Sequence, residues 1–413
     1  MNKTIVIVST LDTKAEETKY LRERIKKLGC NVLIIDVGTG GQPAMPGDVT
    51  REEVLAAADP DIDFKDLEGD RPRLSQLMVA GGGKKARELY ELNRLDGIIG
   101  IGGATSSLMA TGVMSALPFG VPKLMVSSVA AARGLATRYF GTSDISIMHS
   151  VIDFTTLSDL MNDVLDRAAG SIVGMAMMER EYVATAGDEA GKQVKPRVAM
   201  TLLSFCEKCA THLWEHMEKE GYQVIGYSAA GADKAMEEMI EKEGIFSAVI
   251  DLAPGAVGEE LFGGTRAAGP HRMEAAGNAG IPQVIAPCIV NLMTPPKTKY
   301  KPEYYERKRY DLDKYRSYIR LSPEELVTVA KEFAKKLNQA KGPVKVVIPT
   351  KGWSGIDGEG TVLYDPEEDR IFVEELRKQL RDNIEVKEVE ANMEDPLFAE
   401  EVLKAFRDVM SAL

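Results

Sequence analysis

The chain has 413 residues, more than a single domain usually holds, so we expect two domains that each bury a core. Its formal net charge of −12 argues against a nucleic-acid-binding surface, because such a surface needs clustered lysines and arginines. We expect no export signal, because the N-terminal residues lack a basic region followed by an apolar stretch. The sequence has no run of eighteen apolar residues, and its four cysteines are too few for a disulfide scaffold. We therefore expect a cytoplasmic protein that binds neither nucleic acid nor membranes.

The first elements in the chain predict a βαβ unit. Residues 5–8 form an apolar strand, residues 15–28 place apolar side chains at helical spacing, and residues 32–36 form the next strand. The two strands should be parallel, because a helix connects them. A strand that leads into a helix in this way presents backbone N–H groups to an anion.

The loop between the first strand and helix carries Thr10, Asp12, Thr13 and Lys14. Asp12 or Thr13 could simply cap the helix, which stabilises it by about 1 kcal/mol. Alternatively, the loop binds a phosphate or a Mg²⁺-bound water, with Lys14 as a nearby positive charge. The sequence leaves both interpretations open.

A long, Gly- and Pro-rich segment follows at residues 38–73, with a short helix at 51–58. Long segments of this kind at strand ends are often functional. After it we expect a turn at the three consecutive glycines 81–83 and a helix over residues 84–92.

The strand at residues 98–101 leads into a second anion-suited loop, which contains Gly102, Gly103, Ala104 and Thr105. The loop matches neither GxGxxG nor GxxxxGK[ST], so it indicates neither a dinucleotide fingerprint nor a P-loop. Its glycines permit close backbone approach to a ligand, and the helix that follows starts with free N–H groups. The alternative is a tight turn that serves helix packing.

Hydroxyl-bearing residues recur further along the chain at Ser127, Thr142, Ser143 and Asp144. We expect them at carboxyl ends of strands, where an open α/β sheet has its ligand crevice. Asp144 is the candidate for a ribose or metal contact, and the alternative role for it is the capping of a turn.

The second half of the chain repeats the pattern of the first. A strand at 198–204, a helix at 210–220 and a strand from residue 221 match the first βαβ unit in order and spacing. A linker without apolar periodicity lies at 187–196. We therefore predict two Rossmann-like, doubly wound α/β domains with mainly parallel sheets, residues 1–190 and 191–413, with an interdomain cleft.

The second domain contains a separate set of candidate residues, His271, Lys351 and Asp357, on loops after strands. If the loops 255–272 and 351–357 face one cleft, the set would supply a histidine acid/base, a carboxylate and a cationic anchor for a small anionic substrate. The alternative is that these loops are turns with solvated charges.

Two further patterns could indicate a metal site or a redox site, but the neighbouring residues do not favour either function. His212 and His216 are four residues apart, but their neighbours Leu213 and Trp214 favour an ordinary amphipathic helix over a zinc site. Residues 206–209 have CxxC spacing at a strand-to-helix junction, where a helix N-terminus would lower a thiol pKa. The context supports neither a thioredoxin-like role nor a zinc site with four thiolates.

Short segments spread over nearly the whole chain carry a family resemblance. They are Ser9–Lys14, Asp96–Gly103, Pro118–Lys123, Gly141–Asp144, Val151–Asp153, Glu220–Tyr222, Gly231–Met236 and Tyr364–Pro366. In this combination and order the chain resembles the UPF0261 family, whose plant relative is the N-terminal domain of the tomato virus-resistance protein Tm-1, an ATP-binding inhibitor of tobamovirus RNA replication. The resemblance implies two Rossmann-like subdomains, nucleotide binding in the first and homodimerisation. It implies no reaction, and the viral inhibition belongs to the plant relative.

The sequence therefore predicts a nucleotide-binding protein whose first-domain loops hold the phosphates of ATP, and Mg²⁺ could accompany the nucleotide. A small anionic metabolite could be a second ligand. The alternative is an enzyme that acts on a small carboxylate or phosphorylated metabolite at the second-domain loops, with ATP as co-substrate or regulator.

Overall fold

The computed structural model describes residues 2–132, 139, 141–178 and 195–412. The chain divides into two compact units, Met1–Tyr182 and Val183–Leu413. Each unit contains its own parallel sheet with helices on both faces, so the predicted fold of two doubly wound α/β domains is confirmed. Most of the predicted linker at 187–196 lies outside the described residues. No helix in the described part of the chain is long and apolar enough to cross a membrane.

The first domain has one sheet of five parallel strands in the order β2-β1-β3-β4-β5. Its strands are β1 (Thr4–Ser9), β2 (Asn31–Asp36), β3 (Gly97–Gly102), β4 (Lys123–Ser127) and β5 (Ser146–His149). The chain moves outward in one direction from β1 to β2 and in the other from β3 onward. The switch point of the topology, where such sheets bind ligands, therefore lies between β1 and β3.

Within the described residues of this domain, five helices cover the two faces of the sheet. They are α1 (Ala15–Lys27), α2 (Arg51–Ala58), α3 (Arg71–Glu91), α4 (Ala104–Met114) and α5 (Asp159–Met177). Because side chains alternate along a strand, Ile5 and Ile7 of β1 pack towards α1 and α5, whereas Val6 and Val8 pack in the core beneath α2, α3 and α4. The strands are buried on both faces, which explains their continuous apolar runs.

The glycines at 81–83 lie inside α3, so the expected turn before a helix at 84–92 is wrong. A Cβ atom at Gly81 would lie 1.8 Å from the carbonyl oxygen of Val54 in α2, and one at Gly82 would lie 2.7 Å from the side chain of Val113 in α4. The glycines thus let α3 pack closely against its two neighbours. This gain in packing outweighs the low helix propensity of glycine.

The second domain has six parallel strands in the order β14-β13-β9-β8-β6-β7. These are β6 (Arg197–Leu202), β7 (Gln223–Ser228), β8 (Ala248–Asp251), β9 (Gln283–Ile285), β13 (Val344–Pro349) and β14 (Glu385–Val389). A small antiparallel sheet contains β10 (Leu292–Met293), β11 (Arg309–Asp311) and β12 (Ser317–Arg320). The first four strands of the large sheet repeat the order of the first domain, as the internal repeat predicts, and its switch point lies between β6 and β8.

The helices of the second domain also cover both faces of the large sheet. They are α6 (Glu207–Lys219), α7 (Asp233–Glu243), α8 (Ala256–Phe262), α9 (Ala275–Ala279), α10 (Pro323–Leu337), α11 (Pro366–Gln379) and α12 (Pro396–Ser411). Helices α6 and α12 pack together over one apolar core. The opposite face of the sheet carries two further cores. One contains residues of α7 and α9, and the other contains residues of α10 and α11.

Candidate functional site

Two loops predicted from the sequence meet at the switch point of the first sheet. Thr10 follows β1, Ser106 lies in the first turn of α4 after β3, and their hydroxyl oxygens are 3.2 Å apart. The hydroxyl oxygen of Thr10 also lies 3.0 Å from that of Thr13. Thr10 and Ser106 are buried, whereas Thr13 is exposed. The carboxyl ends of β1 and β3 thus share one polar cluster that reaches the surface.

The helices that start at this cluster, α1 and α4, have no side-chain caps. Their N-cap residues are Lys14 and Gly103, and neither makes a side-chain capping hydrogen bond. The suggestion that Asp12 or Thr13 caps α1 is therefore wrong. In α4, Ala104 and Thr105 are exposed and belong to the first turn, where N–H groups lack partners within the helix. Two helix starts with partial positive charge face the same edge of the sheet.

Asp12 points away from α1 and towards the segment that follows β2. Its Oδ2 accepts a hydrogen bond of 2.6 Å from the N–H of Gly40, and its Oδ1 is buried without a hydrogen-bond partner. The neighbouring Asp36 accepts hydrogen bonds from the backbone of Leu11 and Gly38. Burial raises the pKa of Asp36, and the nearby Asp12 adds to this effect. Asp12 therefore has one carboxylate oxygen that no group of the protein satisfies.

Ser127 and Ser128 at the end of β4 have different roles. The hydroxyl of Ser127 is buried and accepts a hydrogen bond of 2.7 Å from Ser107 of α4, so it fixes the helix to the sheet. The hydroxyl of Ser128 donates to Asp153 over 2.8 Å, and this bond is the main reason that the pKa of Asp153 is lowered. A Cβ atom at Gly103 would lie 3.7 Å from the Ser128 hydroxyl, so Gly103 lies beside the hydrogen-bonded pair of Ser128 and Asp153.

The site residues predicted from the sequence do not include Ser106, Ser128 or Asp153, although Ser106 and Ser128 belong to the hydroxyl-bearing loops that the sequence indicates. Asp153 appeared only among the segments of the family resemblance, and it follows β5 at the carboxyl edge of the sheet. Asp153 could be found only from its position after the carboxyl end of β5, the strand that lies beside β4 in the sheet. This signal requires that the position of β5 is known. Lys14 is also fixed here, because its ammonium group donates to the carbonyl oxygen of Phe154.

Thr142, Ser143 and Asp144 precede β5, so the expectation that they follow a strand is wrong. The carboxylate of Asp144 accepts hydrogen bonds of 2.6 Å from the ammonium group of Lys123 and 2.7 Å from the N–H of Gly120. Lys123 begins β4 and its side chain is fully buried. Asp144 therefore compensates a buried charge at the amino edge of the sheet, opposite the edge that carries Thr10 and Ser106.

The switch point of the second sheet is filled by the protein's own Arg272. The hydroxyl of Thr201 in β6 donates to Asp251 in β8 over 2.5 Å, at the position that corresponds to the first-domain cluster. The guanidinium of Arg272 binds Asp251 over 2.6 and 2.8 Å, and it also contacts Asp233 at 3.1 Å and Glu237 at 2.9 Å. Arg272 is 1% exposed. This buried cluster joins α7 to the sheet.

His271 and Lys351 have separate partners. The side chain of His271 is 81% exposed, and its Nδ1 lies 2.9 Å from Glu274. Glu274 in turn binds Lys336, close to the end of α10 that leads into the start of β13. Lys351 follows the other end of β13, and its Nζ lies 3.1 Å from Glu390. The structure therefore does not bring His271 and Lys351 into one cluster.

Asp357 is fully buried and organises its own loop. Its carboxylate accepts hydrogen bonds from the N–H groups of Trp353 and Ser354 and from the Ser354 hydroxyl. The amide of Asn291 donates to it as well, over 2.8 Å. These bonds explain Asp357 as a loop-stabilising residue.

The cysteines of the CxxC pattern, Cys206 and Cys209, are both buried. Burial raises the pKa of the Cys209 thiol well above its ordinary value. For Cys209 the expectation of a lowered thiol pKa at this helix start is therefore wrong, because burial disfavours the thiolate.

A cavity of about 410 Å³ lies beside the first-domain cluster. Its lining includes Gly40, whose N–H binds Asp12, together with the apolar Phe64, Leu67 and Leu74. The guanidinium of Arg51 lies 4.6 Å from the centre of the Phe64 ring. This volume is in the usual range for small-molecule sites.

Comparison with known proteins places the chain in a family. Residues 3–181 match the family model described as "Uncharacterised protein family (UPF0261) N-terminal domain", and residues 195–410 match the corresponding C-terminal domain. A UPF0261 protein of Clostridium tetani is 32% identical over 99% of this chain and 100% of its own length. The tomato ToMV resistance protein Tm-1(GCR237) is 27% identical over 98% of this chain and 55% of its own length.

Among solved structures, the Methanocaldococcus jannaschii UDP-GlcNAc 2-epimerase in complex with UDP-GlcNAc and UDP aligns with a TM-score of 0.21 and 9% identity. That alignment covers 68% of this chain and 83% of the epimerase, and nothing about activity follows from a score at this level. The two family models together cover nearly all of the sequence. The chain belongs to the UPF0261 family.

Proposed function

We propose that the first domain binds a nucleotide, with ATP as the expected ligand, through phosphate groups held at the switch point of its sheet. The contact between Thr10 and Ser106 carries this proposal. It joins two loops at the crevice where open α/β sheets bind ligands, beside the uncapped starts of α1 and α4. The family resemblance independently implies nucleotide binding in this domain.

The groups that would contact phosphate are backbone N–H groups and hydroxyls. Gly103, Ala104 and Thr105 form the start of α4, and Thr13 and Thr105 offer exposed hydroxyls. Helix starts attract anions because their N–H groups lack partners and carry partial positive charge. Lys14 adds a full positive charge at the start of α1.

Carboxylates at the same edge support Mg²⁺ as a companion of the nucleotide. Asp12 has a buried Oδ1 without a partner, and the lowered pKa of Asp153 keeps its carboxyl group ionised. Oxygen ligands of this kind suit Mg²⁺, which usually binds one or two carboxylates together with substrate phosphates. When bound, Mg²⁺ would neutralise phosphate charge that these carboxylates would otherwise repel.

The cavity beside Gly40 supports a place for the nucleoside part of the ligand. It adjoins Asp12 through the Gly40 N–H, and its apolar wall contains Phe64, Leu67 and Leu74. We propose that the base lies against this wall while the phosphates reach the Thr10 loop. Homodimerisation, a cytoplasmic location and a small anionic metabolite as a second ligand stay predictions.

Thermal unfolding with a series of ligands tests the proposal. Protein shown by mass spectrometry to be free of nucleotide is mixed with Mg²⁺ and ATP, ADP, AMP or adenosine. Since a ligand that binds only the folded state stabilises it by RT ln(1 + [L]/Kd), the melting temperature should rise most with ATP and least with adenosine. No rise at millimolar ATP, or an equal rise with adenosine, would contradict phosphate recognition.

A further inference from the structure

Three side chains with metal-ligating atoms converge on the surface of the second domain. His212 and His216 lie one turn apart on α6, and Glu400 lies on α12, which packs beside it. One ligand atom from each of the three lies within 4.8 Å of the others. The two imidazole rings stack with centroids 4.2 Å apart and planes 21° apart, so both point to the same side of the helix. Glu400 could not be linked to the two histidines from the sequence alone, because it lies 188 positions from His212 in the chain.

The hydrogen bonds of the two histidines define which ring nitrogens carry protons. Nδ1 of His216 lies 2.8 Å from the carbonyl oxygen of His212, which can only accept, so Nδ1 carries the proton. In the neutral ring, Nε2 of His216 then keeps its lone pair for a metal. Nε2 of His212 lies 2.7 Å from Oε1 of Glu400, which also only accepts, so Nε2 carries a proton that a bound metal ion would replace.

The backbone that carries these residues is held by a buried core. Leu213 and Met217 of α6 and Val402 and Leu403 of α12 belong to the same apolar cluster. By contrast, the side chain of His212 is 24% exposed and that of Glu400 is 51% exposed. The helices are therefore fixed, while water can reach the ligand atoms and complete a coordination shell.

We propose that His212, His216 and Glu400 bind one Zn²⁺ ion, or a similar divalent transition metal, that connects α6 to α12. Two imidazole nitrogens and one carboxylate oxygen are a ligand set that zinc accepts, with water in the fourth position. Ligand atoms around one tetrahedral zinc are roughly 3–3.5 Å apart, so small side-chain rotations suffice to reach that geometry. Arg407 forms its ion pair with Glu220 and also interacts with the charge of Glu400. The proposal does not depend on nucleotide binding by the first domain.

Metal titration of the untagged full chain tests this site. Protein stripped with a chelator is titrated with Zn²⁺ in competition with a chromophoric chelator, and we expect one equivalent to bind and the melting temperature to rise. His212→Ala and His216→Ala should each weaken this binding by at least roughly tenfold, and Glu400→Gln should weaken it as well. His271→Ala is the matched control, because His271 is an exposed histidine paired with Glu274 outside the cluster.

Circular dichroism and metal-free melting of each variant separate a lost ligand from a lost fold. If His212→Ala unfolds, the isosteric Glu400→Gln still reports on the site. Weaker zinc binding in folded variants, with binding unchanged in His271→Ala, supports the proposal. Absence of a one-to-one complex, or equal zinc affinity of wild type and the folded His212→Ala/His216→Ala double variant, overturns it.

Discussion

The hydroxyl oxygens of Thr10 and Ser106 lie 3.2 Å apart although the residues are 96 positions apart in the chain. The contact spans the switch point between β1 and β3 and joins the starts of two helices without side-chain caps. In the second sheet the corresponding position is filled by the salt bridge between Arg272 and Asp251. The two domains share the order of their first four strands but differ in what lies at the crevice.

Removal of the Ser106 hydroxyl should weaken nucleotide binding without unfolding the protein. We expect Ser106→Ala to raise the Kd for MgATP by about tenfold, equivalent to ~1.4 kcal/mol, because a hydroxyl beside the proposed phosphate site is lost. Titration calorimetry measures this change. The neighbouring Ser107→Ala is the control, since the Ser107 hydroxyl is buried against Ser127 and should affect stability rather than affinity. Equal affinity of Ser106→Ala and wild type would count against this role.

Asp12→Asn should reduce the dependence of ATP affinity on Mg²⁺. The amide can keep the hydrogen bond from Gly40 through its oxygen, but it lacks the charge that attracts the cation. Wild-type protein should bind ATP more tightly with Mg²⁺ than with EDTA, and we expect this ratio to fall by roughly tenfold in the variant. A ratio unchanged by the substitution would show that Asp12 is not near the metal.

Replacement of Arg272 should destabilise the second domain strongly. Arg272→Met leaves the buried carboxylates of Asp233, Glu237 and Asp251 without their counter-charge, and the loss of one partner from a buried ionic cluster costs about 3–5 kcal/mol. The urea midpoint of the full chain measures the effect. Arg316→Ala removes an exposed ion pair with Asp313 and should leave the midpoint nearly unchanged. Similar midpoints for the two variants would contradict a stabilising role of Arg272.

The buried Asp369 should make stability depend on pH. Burial raises its pKa from 3.8 to about 7, against the opposing effect of Arg320. Because the folded state then holds the proton more tightly than the unfolded state, this contribution to stability is full below about pH 4 and is lost as pH rises through 7. Asp369→Asn cannot lose a proton, so its stability relative to wild type should increase from pH 5 to pH 7, by at most ~1.4 kcal/mol per pH unit. A pH-independent difference in urea unfolding would contradict the raised pKa.

The polar ends of β1 and β3 could be predicted from the sequence, because carboxyl ends of parallel strands share one edge of a sheet. The strand that follows Asp144 could not be placed in the same way, since β5 is short and only partly buried. Asp144 was therefore assigned to the wrong edge. Its partner Lys123 gave no signal, because a lysine at the start of an apolar strand is usually solvated.

Long-range pairing accounts for the other differences between prediction and structure. Gly81 resembles a turn until Val54 of α2 is seen against it. Arg272 resembles a solvated loop residue beside His271 until the three acidic partners are brought around it by α7 and β8. Glu400 joins the two histidines of α6 only because α12 packs next to them. In each case the local sequence indicates what an isolated segment would do, and a contact with a residue distant in the chain changes the outcome.

The affinity of Gly103→Val for MgATP, beside that of wild type, tests the nucleotide site most directly. Gly103 has an ordinary φ of −87°, and an added Cβ would lie 3.7 Å from Ser128 and 3.8 Å from Asp153, so the variant should fold while its methyl groups block the approach of phosphate to the backbone. Gly102→Ala is the contrasting variant, because its φ of +139° and a Cβ 2.6 Å from Ser106 should lower stability instead.

We predict that nucleotide-free wild-type protein binds one MgATP per chain by titration calorimetry. Gly103→Val should weaken this binding by at least roughly a hundredfold, or ~2.7 kcal/mol, with an unchanged melting temperature in the absence of ligand. Equal affinity in the folded Gly103→Val variant, or no binding by the wild-type chain, would contradict a phosphate site at the start of α4.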